Sequence, residues 1–443
     1  MMKSRCASAY ALVLSLGCSV ETLDHEPEGS SKSEGTVKHG IAASGVPLSS
    51  DGPVNVVSGI EGETTDLELV AEAKGWTFEQ AVNDRRATDA VGDAAVKLAE
   101  LEPNVFVGSA IDDEPGAIPE LLVKGAASSQ IRNMVREISE KTDVPIHIAD
   151  GQPFAFYELE ERSERASEAL QKVGFKEVMV AVHIRRGRLE VKARRRAGLP
   201  SKAADVLQNL PASVRSIADV ELQDDVLMDT DADWGYGGML AKDGSRPECT
   251  AGWALKYSGS LGFDFGMAMS GHCGGITKVQ DAWGDNPVGS TSASVKQHVG
   301  PWGDIEVRKT LGYTPSALFR ASSSQYRWTW LHEPSSHITV GESICTYAPP
   351  PWSNVRKCSA DVEAVSVSCL GAGRLVRMDK YLNQDGESGA GWSWNYTAYG
   401  AHVGQCSGNS VFSVAAYFEE AIDSRVLGQG YGDPCCELPS PPW

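Results

Sequence analysis

Three short stretches of this sequence hold the residue types of one kind of acyl-transfer chemistry. "MSGHCGG" supplies His272, "PWGDIEVRK" supplies Asp304 and "DGESGAG" supplies Ser388, in that chain order. A serine hydroxyl is a poor nucleophile until a base takes its proton, and imidazole keeps the right tautomer only when a carboxylate orients its second nitrogen. His272 is the candidate base, Asp304 its orienting partner and Ser388 the nucleophile. The glycines around Ser388 meet a second requirement. A sharp turn there lets the N–H groups of Gly386 and Ser388 point together at a developing oxyanion. Other residues compete for these roles. Asp285 lies in the turn-like "GDNPVG", Ser343 in "GESI" lacks a following glycine, and Ser407 in "QCSGNS" has no acidic residue before it. A histidine beside Cys273 also has a plain structural reading; the three motifs together favour chemistry.

Holding such residues in place needs a rigid scaffold, and 443 residues are enough for two or three domains. From about residue 229 to 428 helical periodicity almost vanishes. Short runs such as "AGWALKY", "DIEVRKT", "SHITVGESI" and "VEAVSVSC" alternate with Gly, Ser and Thr turn clusters, the pattern of an all-β barrel or sandwich. Only "FEEAIDSRVL" predicts a helix there. The part from 61 to 228 is α+β. "LELVAEAKGW", "TFEQAVNDRRATDAVGDAAVKLAELEP" with Thr77 as N-cap, "SSQIRNMVREISEKTD", "AFYELEERSERASEALQKVGF" ending at Gly174, and "PSKAADVLQNL" predict helices. "NVFVGSAI" and "PELLVKG" predict strands. Val178, Val180, Val182 and Ile184 alternate, a basic turn intervenes, and Leu189, Val191 and Ala193 alternate again, which predicts a hairpin. Residues 19–60 read as a flexible leader, Asp224 to Asp233 as an acidic linker, and 429–443 as a tail.

The formal net charge of −19, without a long basic tract, excludes a nucleic-acid partner. The cluster Arg185, Arg186, Arg188, Lys192, Arg194, Arg195 and Arg196 reads as a solvated hairpin. At the amino terminus Lys3 and Arg5 precede a short apolar run ending near Leu16, an export signal over residues 1–18. About 11 apolar residues do not span a bilayer, which takes roughly 20. "SLGC" makes Cys18 the residue after the cut, either acylated as in a bacterial lipobox or left free. Of ten cysteines, Cys6 and Cys18 fall in the signal and the rest lie from Cys249 onward, an even number that suggests disulfides in an exported chain. No CxxC or HExxH occurs, and His332 and His337 in "LHEPSSH" read as loop residues, so no metal and no cofactor are expected. A monomer is expected.

A family resemblance follows from these residues. "CTAGWALKYSGSLGFDFGMAMSGHCGG" resembles the segment of chymotrypsin-like bacterial serine proteases, the α-lytic protease and streptogrisin group, in which a cysteine opens a strand pair and "TAGHC" closes it. "GDIEV" resembles their aspartate strand, "GESGA" their "GDSGG", and "GQCSGNSVFSVAAYFEEAID" their last cysteine loop and terminal helix. The resemblance covers about residues 234–428 and implies a double antiparallel β-barrel over 229–428. It implies a secreted serine endopeptidase acting on polypeptides through His272, Asp304 and Ser388, with the amides of Gly386 and Ser388 as oxyanion hole. Residues 61–228 resemble the pro-region of the group, which in the family assists folding and inhibits until cleaved. The resemblance also implies pairing of Cys249 with Cys273, Cys345 with Cys358 and Cys369 with Cys406, leaving Cys435 and Cys436 unassigned. The chain departs from the family near the chemistry. Glu387 stands for an aspartate, and Thr346 for the arginine that neutralises it, so a buried carboxylate there either shifts its pKa or finds another partner, for which Arg356 and Lys357 are the candidates. Val403 stands where a serine supports the catalytic aspartate. "TYAPPPWSNVRK" replaces a turn that shapes the substrate pocket, Leu382 falls at the position of that pocket's floor, and "GAGRLVRMDKYLNQ" is an insertion. The alternative reading is a catalytically weak or inactive homologue acting as a secreted binding protein. A third is a carbohydrate-binding module using Trp392 and Trp394, which otherwise pack the core.

Overall fold

Ser58 and Thr77 each accept a hydrogen bond from the backbone N–H three residues on, while the side chains of Glu61 and Gln80 reach back to the capping residue's own N–H. These two capping boxes start helices α1 (Gly59–Lys74) and α2 (Phe78–Leu101). In this computed structural model, residues 55–428 are described apart from 225–227, 231–238, 244–245, 260–261, 282–283, 292–294, 313–314, 316, 350–353 and 385. The signal, Cys18, most of the leader and of the acidic linker, and the tail with Cys435 and Cys436 therefore lie outside the described residues. Order starts earlier than composition suggests, because the strand Asn55–Val56 pairs in parallel with Gln325–Trp328 ahead of α1.

Helices α3 (Ser129–Thr142) and α4 (Phe156–Val173) follow, with Ser128 capping the first and left-handed Gly174 closing the second. Val91 and Leu98 of α2 and Ile131, Val135 and Ile138 of α3 pack against Leu121 and Val123 of a three-stranded sheet. Leu159, Ala166 and Leu170 of α4 cover the expected hairpin, Val178–His183 and Arg188–Arg194, whose inward residues Val178, Val180, Val182, Leu189 and Val191 are buried. Fully burying each such side chain contributes about 1.5–3 kcal/mol. Two short helices, α5 (Ala203–Asn209) and α6 (Ala212–Arg215), lead to Ala218–Gln223, a third strand of this sheet.

The hairpin does not end at a free edge. Val178–His183 pairs with Arg356–Cys369, placing Val182 opposite Val365 and Val180 opposite Ser368, so one eleven-stranded sheet runs through both parts of the chain. Beyond that joint lie Ala372–Met378, Asn409–Val414, Thr397–Cys406, Gly391–Trp394 and Ser343–Tyr347, and the last of these pairs back onto Arg356–Cys369. The other strands of the C-terminal part form open sheets of four and five strands, and two of them make a small three-stranded sheet with Asn55–Val56. The C-terminal part is thus mostly β, but its ladders do not form the two closed barrels that the resemblance implies. The apolar core is shared too. Leu67 and Val70 of α1 lie in one buried cluster with Ile344, Val362, Trp392, Trp394 and Phe412. Trp392 stacks on Phe412, so neither it nor the buried Trp394 is a surface platform for sugars. All described residues belong to one compact unit.

The helix expected over "FEEAIDSRVL" is only α7 (Phe418–Ile422). Asp423 turns left-handed and Ser424–Val426 becomes a strand beside Ala254–Gly259. Among the described residues no helix is long and apolar enough to cross a membrane.

Candidate active site

His272 sits on a tight turn directly after the strand Gly262–Met269. The N–H of Cys273 donates to the Ser270 carbonyl (3.0 Å) and that of Gly274 to the His272 carbonyl (2.9 Å), while a disulfide ties Cys273 to Cys249. Asp304 is the second residue of the strand Gly303–Lys309. Its N–H donates to Ser413 Oγ (2.8 Å), and the Ser413 hydroxyl donates back to its carbonyl (3.1 Å). Gly303 is needed for this approach: its φ is +116° and a Cβ there would meet Ser413 Oγ at 2.9 Å.

Ser388 lies in the loop between Ala372–Met378 and Gly391–Trp394. Gly389 has φ +92°, and a Cβ on it would come within 2.1 Å of the Thr250 carbonyl. That close approach staples the loop in place. Thr250 N–H donates to the Ser388 carbonyl (2.9 Å), and Gly389 N–H to the His402 carbonyl (2.6 Å).

The fold brings the three residues together across sequence separations of 32 and 116. His272 Nε2 is 2.8 Å from Ser388 Oγ, and Nδ1 is hydrogen-bonded to Asp304 Oδ2. Ser388 Oγ also lies 3.2 Å from the Val403 carbonyl, so the imidazole is the nearer of two acceptors for the single hydroxyl proton. Asp304 and Ser388 are buried, and the His272 side chain keeps 17% of its surface exposed. Among the described residues the N–H groups of Gly386 and Ser388 have no hydrogen-bond acceptor. The arrangement can pass a proton from Ser388 to Nε2 while Asp304 keeps the other ring proton on Nδ1.

The surroundings differ from what the motifs imply. Glu387 is fully buried and accepts from Asn383 Nδ2 (2.9 Å). Burial pushes its pKa up, against the pull of Lys357, whose Nζ stands 3.8 Å from Oε1. Lys357 is therefore the cation of this site, and Arg356 turns to Asp66 on α1 instead. Among the described residues no hydroxyl reaches the Asp304 carboxylate at the Val403 position, and Asp304 Oδ1 has no hydrogen-bond partner. Ser413, which grips the Asp304 backbone, carries no motif of its own, since it sits within the apolar strand run "SVFSV". Leu382 is half-buried; its N–H donates to Ser410 Oγ (3.0 Å) and its side chain packs against the core.

The competing residues point elsewhere. Asp285 lies in a strand, Gly284–Pro287, and binds Lys242 and Lys278. Ser343 donates to Asp361 (2.6 Å), and Ser407 accepts from Lys192 (3.1 Å). His337 pairs with Glu333 against α2. Disulfides also join Cys345 to Cys358 and Cys369 to Cys406. Among the described residues the groupings with metal-like spacing, Cys249 with His272 and Cys273, and Asp66 with Cys345 and Cys358, use cysteines already locked in disulfides.

No protein-family model matches the chain, and no curated protein does. Solved structures with some likeness include "Alpha-lytic protease homolog N4", at 20% identity and a TM-score of 0.30, covering 42% of this chain and 95% of that one. A human pathogenic astrovirus serine protease (17% identity, TM-score 0.22) covers 36% of this chain and 88% of its own. The HRV-C 3C protein with rupintrivir (12%, TM-score 0.22) covers 36% and 90%. These are faint likenesses, and the reading of the site rests on its own geometry.

Proposed function

We propose that this chain is an exported serine endopeptidase, made as a precursor, that hydrolyses polypeptides through His272, Asp304 and Ser388. The observation that carries this reading is the continuous relay from Asp304 through both nitrogens of His272 to Ser388 Oγ. Ser388 attacks a peptide carbonyl as His272 takes its proton, and the N–H groups of Gly386 and Ser388 receive the oxyanion. His272 then protonates the departing amine. Water, deprotonated by the same imidazole, releases the acyl group. Export over residues 1–18, with an acylated or free Cys18, accompanies this reading.

The precursor reading draws support from the strand Met228–Thr230. It runs antiparallel to Thr397–Cys406, with Thr230 opposite Gly404, one residue past the Val403 carbonyl that neighbours Ser388. An extended segment at the junction of the two parts thus pairs with the strand whose Val403 carbonyl neighbours Ser388, as a bound polypeptide does when it adds a strand.

The test is hydrolysis of a mixed peptide library by the secreted product. Ser388→Ala and His272→Ala are each expected to lose at least about a thousandfold in kcat. Undiminished hydrolysis by folded Ser388→Ala overturns the reading. The Asp304 Oδ1 atom, which has no hydrogen-bond partner among the described residues, favours the second reading, a weak or inactive homologue that binds without cutting, and that reading requires no turnover from the folded wild type.

A further inference from the structure

The strand Gly303–Lys309 is buried on both faces, and the faces differ in chemistry. Ile305 and Val307 enter an apolar cluster with Trp253, Leu255 and Phe418. Asp304, Glu306 and Arg308 alternate with them, and all three are buried on the other face. A buried carboxylate and guanidinium carry a desolvation cost that apolar side chains avoid, so such a pair is weak evidence for stability. Its contacts indicate another role.

Arg308 holds Glu306 with Nε (2.6 Å) and Nη2 (3.2 Å). Its remaining capacity goes to the main chain, where Nη1 donates to the Ile276 carbonyl (2.8 Å) and Nη2 to the Cys273 carbonyl (2.9 Å). Cys273 and Ile276 belong to the turn that carries His272. A closed ring results: from Asp304 along the strand to Arg308, across to Cys273, through one peptide unit to His272, and through Nδ1 back to Asp304. The strand that bears the carboxylate therefore also holds the backbone that bears the imidazole. The Cys249–Cys273 disulfide anchors the same turn from its other side.

We infer that Arg308 is a positioning residue for His272: by holding the Cys273 and Ile276 carbonyls it fixes the turn that aims the imidazole at Ser388, and Glu306 orients its guanidinium. The kinetic consequence rests on the peptidase reading; the geometric one does not. A lysine cannot reproduce a planar fork that serves a carboxylate and two carbonyls at once.

The test uses the full chain, expressed for secretion, as wild type, Arg308→Lys, and Glu306→Gln combined with Arg308→Met, which removes both charges of the pair together. Two readouts follow the melting curve and a disulfide check: the downfield proton resonance of the His272–Asp304 hydrogen bond, and the rate of covalent labelling by a fluorophosphonate. The double variant is expected to fold, to shift or lose that resonance, and to label about 10- to 100-fold more slowly, as a misaimed catalytic group does. Arg308→Lys is expected to fall between it and wild type. A folded double variant with the wild-type resonance and labelling rate overturns the inference; if it does not fold, Arg308→Lys is judged by the same two readouts. If the wild type shows the resonance but takes no label, the peptidase reading fails, and the resonance alone decides for or against Arg308.

Discussion

Arg356 gives Nε and Nη2 to the two carboxylate oxygens of Asp66, at 2.6 and 2.9 Å, across 290 residues of sequence. Arg327 Nη1 (2.8 Å) and the Asn395 N–H (2.9 Å) reach the same carboxylate. Asp66 and Arg327 are fully inaccessible, so a helix of the N-terminal part supplies the anion that two buried cations of the C-terminal part require. Burial alone raises the pKa of Asp66, but Arg356 and Arg327 more than offset it and hold the carboxyl below its ordinary value of 3.8.

Asp66→Ala strands two guanidinium groups in the interior. The expected loss is about 3–5 kcal/mol, measured by urea unfolding in the Ser388→Ala background, where the proposed self-cleavage is not expected. Because the folded pKa is depressed, the carboxylate's contribution is complete above its unfolded pKa and is lost as pH falls through the lower folded value. The wild type is therefore expected to lose stability more steeply than Asp66→Ala below about pH 4. Equal acid profiles contradict this.

A second joint between the two parts responds in the alkaline direction. His337 packs in the notch left by Gly92 on α2, where a Cβ would come within 2.5 Å of its ring. Burial lowers its pKa, but Glu333, Asp89 and Glu342 raise it to about 9, with Asp93 3.9 Å from Nε2. Arg85 and Tyr399 complete the cluster around Glu342, whose own pKa burial raises to about 7. The protonated imidazole's contribution is complete below pH 6.5 and lost as pH rises through 9. Unfolding of the Ser388→Ala chain is expected to show a loss on the order of 2 kcal/mol over that window, flattened in His337→Gln. A slope unchanged by the substitution contradicts the assignment.

Much of this architecture is legible in the sequence where local chemistry decides. The Thr77 cap, Gly174, and the alternation around the 178–193 hairpin each match an observed element, because capping and period-two burial act over a few residues. The hairpin's bond to Arg356–Cys369 is not legible, since nothing local distinguishes a strand paired on one side from one paired on both. The site divides in the same way. His272, Asp304 and Ser388 stand in motifs, whereas Ser413, Arg308 and the choice of Lys357 over Arg356 for Glu387 depend on distant partners.

Lys357 and Glu387 are expected to be energetically coupled. Lys357→Met leaves Glu387 buried without a cation, which costs roughly 1–3 kcal/mol, and Glu387→Gln in the same chain is expected to recover part of that loss. A double-mutant cycle in urea measures the coupling. A coupling energy of zero contradicts the pairing.

If Met228–Thr230 lies along the path of a substrate strand, the precursor is expected to cut itself between about residues 225 and 236, a segment mostly outside the described residues. Intact mass of the secreted wild type reports the cut. Ser388→Ala is expected to remain joined, and a wild type that stays full length contradicts self-processing.

The central claim, that His272 activates Ser388, is tested most directly by treating the secreted product with a fluorophosphonate and mapping the adduct by peptide mass. The expected result is one adduct, on Ser388, absent from Ser388→Ala and formed at least a hundredfold more slowly in His272→Ala, within the range of losses on removing a triad member. A folded wild type that takes no adduct, or takes it at another residue, contradicts the claim.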